Sequence, residues 1–307
     1  GELFGVSDAD ENELYAALDW LRERQPVIEQ RLAKRHLQEG GRVLYDLSSS
    51  YFEGEACPLA ARGYSRDGKK GTLQVNYGLL TDARGCPVAI SVFEGNTTDP
   101  ETLLEQVEKL QNDFALQSVI LVGDRGMISQ AQVEALREHA GMGWITALKS
   151  GAIRQLVAAG TLQMDLFDER NLFECTHDDF PGERLIACRN PQLAKLRAAK
   201  RCELLAATTA ALETVQRMVT HGRLKDPDKI GVRVGRVINQ YKMAKHLVLE
   251  ISATPFAFHI NQESVAAEAA LDGLYVIRTA LPAAQISSAP LPGIEPCRGR
   301  IPLLEKR

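Results

Sequence analysis

Short apolar stretches alternate with amphipathic stretches between residues 41 and 150, and this alternation constrains the fold more than any other sequence feature. Strands are predicted where apolar and β-branched residues lie between turn residues, at 42–47, 72–80, 87–93, 118–122 and 144–148. Helices are predicted at 98–110 and 129–139, where a capping residue precedes apolar residues at helical spacing. This order of elements predicts an α/β fold with a mixed sheet and flanking helices.

Changes in this pattern divide the chain into five predicted segments. Residues 1–40 form an N-terminal helical segment, and residues 41–150 form the first part of the α/β core. The alternation breaks over residues 151–250, which we interpret as an α+β insertion domain, and residues 251–289 return to the core. Residues 290–307 contain four prolines and show no periodicity, so they form an off-pattern tail without a continuous helix.

The charge distribution leaves several classes of partner open. The net charge is −4, but residues 1–20 contain six acidic residues and no Lys or Arg, so the rest of the chain is slightly basic. Basic residues concentrate at 62–70, 184–201 and 225–245. Because a charged stretch is usually just a solvated face, these stretches alone do not establish binding to nucleic acid.

Several kinds of site are disfavoured by the motifs that the sequence lacks. The six cysteines form no Cys-x-x-Cys pair and there is no His-x-x-x-His pair, which argues against a zinc site. There is no Gly-x-x-x-x-Gly-Lys-Ser/Thr phosphate loop and no Gly-x-Ser-x-Gly nucleophile motif. No apolar run approaches the roughly 18 residues of a membrane span, so we predict no membrane association.

Two aspartates follow apolar core strands and are the candidate catalytic residues. Asp46 comes after Val43-Leu44-Tyr45, and Asp124 comes after the apolar run 119–122. Ligands gather at the carboxyl ends of strands in α/β sheets, so the two carboxylates meet if these strands are parallel neighbours. Each aspartate alone could equally be a strand-end turn or helix-cap residue. At about 4 Å two carboxylates repel by roughly 4 kcal/mol at an effective dielectric of 20, which a divalent cation would cancel.

The motifs around these aspartates resemble those of DDE transposases from bacterial insertion sequences. Residues 45–54, YDLSSSYFEG, and residues 63–70, GYSRDGKK, resemble the block that carries the first aspartate. Residues 122–127, VGDRGM, resemble the block that carries the second. Residues 271–279, LDGLYVIRT, resemble the strand before the catalytic glutamate helix. The similarity is to the IS-four superfamily, in particular its IS-sixteen-thirty-four branch, and covers about residues 1–289.

This resemblance implies an RNase H-like core interrupted by an insertion, with Asp46 and Asp124 as catalytic residues and ligands of Mg²⁺ or Mn²⁺. It implies metal-dependent cleavage and strand transfer at insertion-sequence ends by a bacterial, cytoplasmic, nucleoid-associated protein. The implied partner is double-stranded DNA, and a homodimer is one option. Phosphate contacts are expected from four basic residues beside the aspartates: Arg66, Lys69, Lys70 and Arg125.

The third acid of the family has no counterpart on a predicted helix. In such enzymes a glutamate lies on a helix after the strand that residues 271–279 resemble. Here Glu268 precedes that strand, and Glu295 and Glu305 lie in the proline-rich tail. We therefore expect a truncated or frameshifted transposase that is catalytically incomplete. A non-catalytic DNA-binding remnant and a divergent RNase H-like metal nuclease are the alternatives.

Overall fold

The computed structural model describes residues 10–66, 68–69, 71–163, 167, 171–252 and 256–285. Its α-helices are α1 (Glu11–His36), α2 (Asp99–Glu108), α3 (Gln130–Glu138), α4 (Ser150–Ala158), α5 (Pro191–Thr220), α6 (Pro227–Tyr241) and α7 (Gln262–Ala269). Its strands are β1 (Gly41–Phe52), β2 (Ala61–Arg62), β3 (Leu73–Asp82), β4 (Pro87–Glu94), β5 (Val119–Val122), β6 (Met142–Ala147), β7 (Leu172–Cys175), β8 (Arg184–Arg189), β9 (Leu247–Glu250), β10 (Ala257–Ile260) and β11 (Leu274–Thr279). Within these residues, no helix has the length and hydropathy needed to cross a membrane.

The chain divides into two compact units. The first contains the described residues up to Ala147, together with Thr176–Leu185 and those from Ile277 onward. The second contains the described parts of Leu148–Cys175 and Ile186–Val276.

A mixed sheet forms the centre of the first unit. Its strands hydrogen-bond in the order β2-β3-β1-β5-β6-β11, and β4 pairs with β3. β1 is antiparallel to β3 but parallel to β5, which is parallel to β6. Leu103 and Val107 of α2 and Val133 and Leu136 of α3 are fully buried in the same apolar cluster as the inward side chains of β1. The predicted α/β fold, a mixed sheet with flanking helices, is confirmed.

Strand β1 is the element that places the site, and it is longer than its sequence predicts. Val43, Tyr45 and Leu47 are buried at alternate positions, so Asp46 lies on the opposite face of the strand. The prediction ended the strand at residue 47, whereas the structure continues it to Phe52. The serine-rich half is held as strand because residues 48–52 pair with residues 73–77 of β3.

Helix α1 covers the outer edge of β4 through a buried glutamate. An Asp10–Glu13 capping box starts the helix. Glu29 accepts a hydrogen bond from the Ile90 backbone N–H at 3.0 Å and forms an ion pair with Lys109 at 3.1 Å. This contact satisfies a backbone group on an exposed strand edge, which otherwise invites pairing with another chain.

The second unit is built from helices and a two-stranded antiparallel sheet of β9 and β10. Helix α5 begins after Asn190, whose side chain accepts a hydrogen bond from the Leu193 backbone N–H at 2.9 Å and so caps the helix. Leu212 of this helix, Ile230 of α6 and Phe256 form the centre of an apolar cluster.

Candidate active site

The register between β1 and β5 brings Asp46 and Asp124 to the same end of the sheet. The two strands are parallel, and Val43 pairs with Leu121 and Leu44 with Val122. Asp46 lies two residues beyond Leu44 and Asp124 two residues beyond Val122, the last pair of this ladder. The two carboxyl groups are close enough for the charge of Asp124 to raise the pKa of Asp46. The structure thus meets the condition of parallel neighbouring strands on which the predicted carboxylate pair depends.

The carboxyl of Asp46 lies in an environment that disfavours its ionised form. The pKa of Asp46 is raised to about 6, mainly by burial and to a lesser extent by the charges of Asp124 and Asp99. The Leu47 backbone N–H, which donates to Asp46 Oδ1 at 3.0 Å, and the Arg66 guanidinium oppose this increase. A divalent cation at this position would remove the electrostatic cost of ionising Asp46.

Asp124 is exposed, but its carboxylate is fixed by the backbone that follows it. Its Oδ1 atom accepts hydrogen bonds from the N–H groups of Gly126 and Met127, both at 2.8 Å. The Asp124 carbonyl accepts a hydrogen bond from Thr146 Oγ1 at 3.0 Å. Among the described residues no hydrogen bond reaches Asp124 Oδ2, so this oxygen is available to a ligand while the other one orients the group.

Arg66 lies beside the carboxylates and is held there by two side chains. Its guanidinium donates to Asn76 Oδ1 at 3.3 Å and forms an ion pair with Asp99. Asn76 is buried, and its amide donates to the carbonyls of Thr97 at 2.9 Å and Gly95 at 3.2 Å. The predicted DNA contact at Arg66 is therefore a fixed positive charge within the site rather than a freely moving side chain.

Two of the other predicted DNA contacts, Lys69 and Arg125, lie on the surface. Lys69 is exposed, and its Nζ atom lies 3.3 Å from the centroid of the Tyr51 ring. Arg125 is exposed and directly follows Asp124. Lys70 lies outside the described residues.

The donor atoms of Asp46 and Asp124 fit a hard divalent cation. Carboxylate oxygens are the ligands that Mg²⁺ and Mn²⁺ prefer. In the described part of the chain, the cluster of three potential ligands within 4.8 Å lies elsewhere, at His36, Asp82 and Cys86. There the Arg84 guanidinium donates to Asp82 at 2.7 Å and lies 3.2 Å from His36 Nδ1, so a positive group already engages two of the three potential ligands.

Comparison with known protein families identifies the family of this chain. Residues 43–254 match the family described as Transposase DDE domain. The chain belongs to this family. No curated protein matches the sequence.

Two solved transposase structures show partial similarity. One is a piggyBac transposase synaptic complex with hairpin DNA, at 13% identity and a TM-score of 0.33 over 50% of this chain and 32% of that one. The other is a Mos1 transposase paired-end complex with the left transposon end, at 14% identity and a TM-score of 0.25 over 52% of this chain and 62% of that one. The chain thus spans about a third of the piggyBac chain and less than two thirds of the Mos1 chain.

Of the glutamates considered as a third acid for this transposase domain, Glu268 is engaged by two basic side chains of its own unit. Glu268 Oε2 lies 2.6 Å from His246 Nε2 and 2.5 Å from Lys245 Nζ, in the second unit. Burial alone would raise the pKa of Glu268, but the hydrogen bonds and charges of Lys245 and His246 outweigh burial and hold the pKa below its usual value. Glu295 and Glu305 lie outside the described residues.

Three residues of the site were not identified from the sequence: Ser49, Asn76 and Asp99. Ser49 is buried, and its Oγ atom accepts a hydrogen bond from the Arg66 backbone N–H at 3.4 Å. Asp99 was interpreted only as part of a helix start, and the Thr98–Glu101 capping box confirms that start. The sequence feature that could have identified Asn76 is that a polar residue stands at an inward-facing position of strand β3.

Proposed function

We propose that this chain is the DDE domain of an insertion-sequence transposase from the IS-sixteen-thirty-four branch, with Asp46 and Asp124 as ligands of Mg²⁺ or Mn²⁺. The parallel pairing of β1 with β5, together with the effect of the Asp124 charge on Asp46, is the observation that supports the proposal. When bound, the metal would activate water and stabilise the charge that develops at a phosphodiester. Asp124 would be oriented by its backbone hydrogen bonds, and Asp46 would be ionised by the metal's charge.

Double-stranded DNA is the proposed partner of this site. Lys69 and Arg125 are exposed and would contact phosphates, together with Lys70 and the fixed charge of Arg66. These contacts would release counterions, so DNA affinity should fall steeply as salt rises. A DNA substrate also supports a cytoplasmic, nucleoid-associated location.

We further propose that this chain binds metal and DNA without completing strand transfer. Glu268 is engaged by Lys245 and His246, which supports the expectation that it does not serve as the third metal ligand. A two-carboxylate site would hold the metal less firmly and would position water less well than a three-carboxylate site.

A metal nuclease is the second candidate, and Asp99 favours it. The charge of Asp99 acts on Asp46, and its ion pair with Arg66 keeps it beside the two catalytic candidates. In this alternative Asp99 takes the place of the third acid.

Metal binding provides the first test. Thermal unfolding with and without Mn²⁺ should show stabilisation of the wild-type chain, since a ligand that binds only the folded state raises its stability. Asp46→Ala and Asp124→Ala should lose this effect, and Asp113→Ala, an exposed acid on the same unit, should keep it. Equal stabilisation of all four proteins would contradict the proposed metal site.

DNA assays separate the remaining alternatives. With Mn²⁺, the proposal predicts salt-sensitive duplex binding but no strand transfer and no nicking of a supercoiled plasmid. Nicking that Asp46→Ala and Asp99→Ala both abolish would favour the nuclease. Efficient strand transfer would show that the chain is a complete transposase.

A homodimer is also part of the proposal. Leu14, Leu18 and Leu21 recur at helical spacing on α1 and are 49–60% exposed, which supports pairing with a second apolar surface. Light scattering should show a dimer for the wild-type chain and a monomer for Leu18→Glu. A wild-type monomer at all concentrations would contradict this part of the proposal.

A further inference from the structure

A cluster of metal-ligating side chains, which shares no residue with the carboxylate pair, joins helix α1 to the turn between β3 and β4. His36 is the last residue of α1, Asp82 is the last residue of β3, and Cys86 directly precedes β4. One potential ligand atom from each residue lies within 4.8 Å of the other two. All three residues belong to the first unit. Because the ligands come from elements that are far apart in the sequence, no metal-binding motif announces them.

The turn holds the Asp82 carboxylate in an orientation that suits a metal ligand. Its Oδ1 atom accepts hydrogen bonds from the backbone N–H groups of Arg84 at 2.8 Å and Cys86 at 2.9 Å. In the described part of the chain, the Oδ2 atom has only the Arg84 side chain as a hydrogen-bond partner. Hydrogen bonds of this kind commonly orient the carboxylates that bind metals, because they fix one oxygen and leave the other to the ion.

The position of the Arg84 guanidinium shows that the ligand atoms converge on a cation. It donates to Asp82 Oδ2 at 2.7 Å and lies 3.2 Å from His36 Nδ1. Since a guanidinium can only donate, His36 Nδ1 is the unprotonated ring nitrogen and accepts this bond. Nδ1 and Asp82 Oδ2 are 3.7 Å apart. Two such ligands lie about 3.4 Å apart on a tetrahedral Zn²⁺, so only a small contraction is needed.

Arg84 can leave the cluster at little cost, and the set of donor atoms selects the ion that replaces it. The Arg84 side chain is 70% exposed, and ion pairs with an exposed partner contribute little to stability. The Cys86 thiol is half-buried, and no hydrogen bond engages it among the residues that the structure describes. An imidazole nitrogen, a carboxylate oxygen and a thiolate favour Zn²⁺, whereas Mg²⁺ and Mn²⁺ prefer oxygen ligands alone.

We propose that His36, Asp82 and Cys86 bind Zn²⁺, which displaces the Arg84 side chain into solvent. Water would take the fourth tetrahedral position, and the Cys86 thiol would lose its proton on binding. The ion would fasten the end of α1 to the turn between β3 and β4. This site goes beyond the proposed function, because it needs neither DNA nor a metal at the carboxylate pair.

Cobalt spectroscopy tests the proposal with the full chain under reducing conditions. Co²⁺ substitutes for Zn²⁺ in tetrahedral sites, and a thiolate ligand gives it a charge-transfer absorption in the near ultraviolet. The wild-type chain should develop this band with Co²⁺ and lose it when Zn²⁺ displaces the cobalt. Co²⁺ bound at the carboxylate pair would not contribute, because that pair offers only oxygen ligands.

Four variants locate the site. Cys86→Ser should abolish the band, and His36→Ala should weaken Zn²⁺ binding by at least about tenfold, since even outer-shell partners of a metal contribute this much. Arg84→Ala should bind Zn²⁺ about three- to tenfold more tightly, because no side-chain cation competes for the ligands. Cys57→Ser is the matched control and should keep the band, because the Cys57 thiol is half-buried in the same unit but lies outside the cluster.

Two kinds of result would overturn the assignment. One is a wild-type chain without the charge-transfer band, or a band that survives Cys86→Ser. The other is an Arg84→Ala variant that binds Zn²⁺ no more tightly than the wild type, and this test stands even if the ligand variants fold poorly. Neither result bears on the carboxylate pair, which the thermal unfolding experiment with Mn²⁺ tests separately.

Discussion

Replacing Asp46 with Asn should stabilise the metal-free protein at neutral pH. Burial and the charges of Asp124 and Asp99 raise the pKa of Asp46 from an ordinary value of 3.8 to about 6. Each pH unit of difference corresponds to about 1.36 kcal/mol. The ionised carboxylate therefore costs the fold roughly 2–3 kcal/mol above pH 6, after allowance for solvent screening at this half-buried site.

The pH dependence follows from which state holds the proton. Between pH 3.8 and about 6, folded Asp46 keeps its proton while the unfolded chain has lost it. Stability therefore rises as pH falls through this window, and the cost of the charge disappears. The gain from Asp46→Asn should be largest above pH 6 and small near pH 4.

Urea unfolding with EDTA, at about pH 7.5 and about pH 4, measures this effect. Asp113→Asn, which changes an exposed acid, is the control and should alter stability little at either pH. An Asp46→Asn variant that is less stable than the wild type at the higher pH would refute the argument. A gain in stability of the same size at both pH values would also refute the argument. Mn²⁺ should reduce the difference in stability between Asp46→Asn and the wild type, because it would stabilise only the wild type.

Two further predictions concern buried contacts of the first unit. The buried Arg278 guanidinium lies 2.6 Å from the Glu183 carboxylate. Glu183→Ala should therefore lower the free energy of unfolding by about 3–5 kcal/mol, because it leaves this guanidinium without its counter-charge. Adding Arg278→Met should recover most of this loss in urea unfolding, and no recovery would contradict the ion-pair explanation. Gly78→Ala should cost about 1–3 kcal/mol, because the new methyl group would overlap the buried Tyr45 ring; unchanged thermal stability would show that the ring can move.

The pairing of Asp46 with Asp124 could be anticipated because it depends on local patterns. Both residues follow short apolar runs of the sequence, at Val43-Leu44-Tyr45 and at 119–122, and the strand order of an α/β sheet brings such runs side by side. The extent of β1 could not be anticipated in the same way. Ser48, Ser49 and Ser50 favour turns locally, and only pairing with β3 holds them in a strand.

The rest of the site depends on contacts between residues that are far apart in sequence. Asp99 bonds to Arg66, which is 33 positions away in the sequence, and Glu183 bonds to Arg278, which is 95 positions away. Each of these residues has an ordinary local role, such as the helix start at Asp99, so a single sequence gives no sign of the second role. Motif resemblance found Arg66 only because it lies near the first aspartate.

The balance of charge around Asp46 makes a last prediction possible. Three carboxylates, Asp46, Asp124 and Asp99, share one guanidinium, Arg66, so the ionised cluster has an excess of negative charge that one divalent cation would neutralise. Arg66 lowers the pKa of Asp46 and Asp99 raises it. Arg66→Gln should therefore move the onset of Mn²⁺ binding to higher pH, because Asp46 must lose its proton to bind metal. Asp99→Asn should move it to lower pH, since it removes a repelling charge and frees the guanidinium. Mn²⁺ titrations at a series of pH values measure the onset of binding for both variants. If both variants move the onset in the same direction, Arg66 and Asp99 act on metal binding by some route other than the ionisation of Asp46.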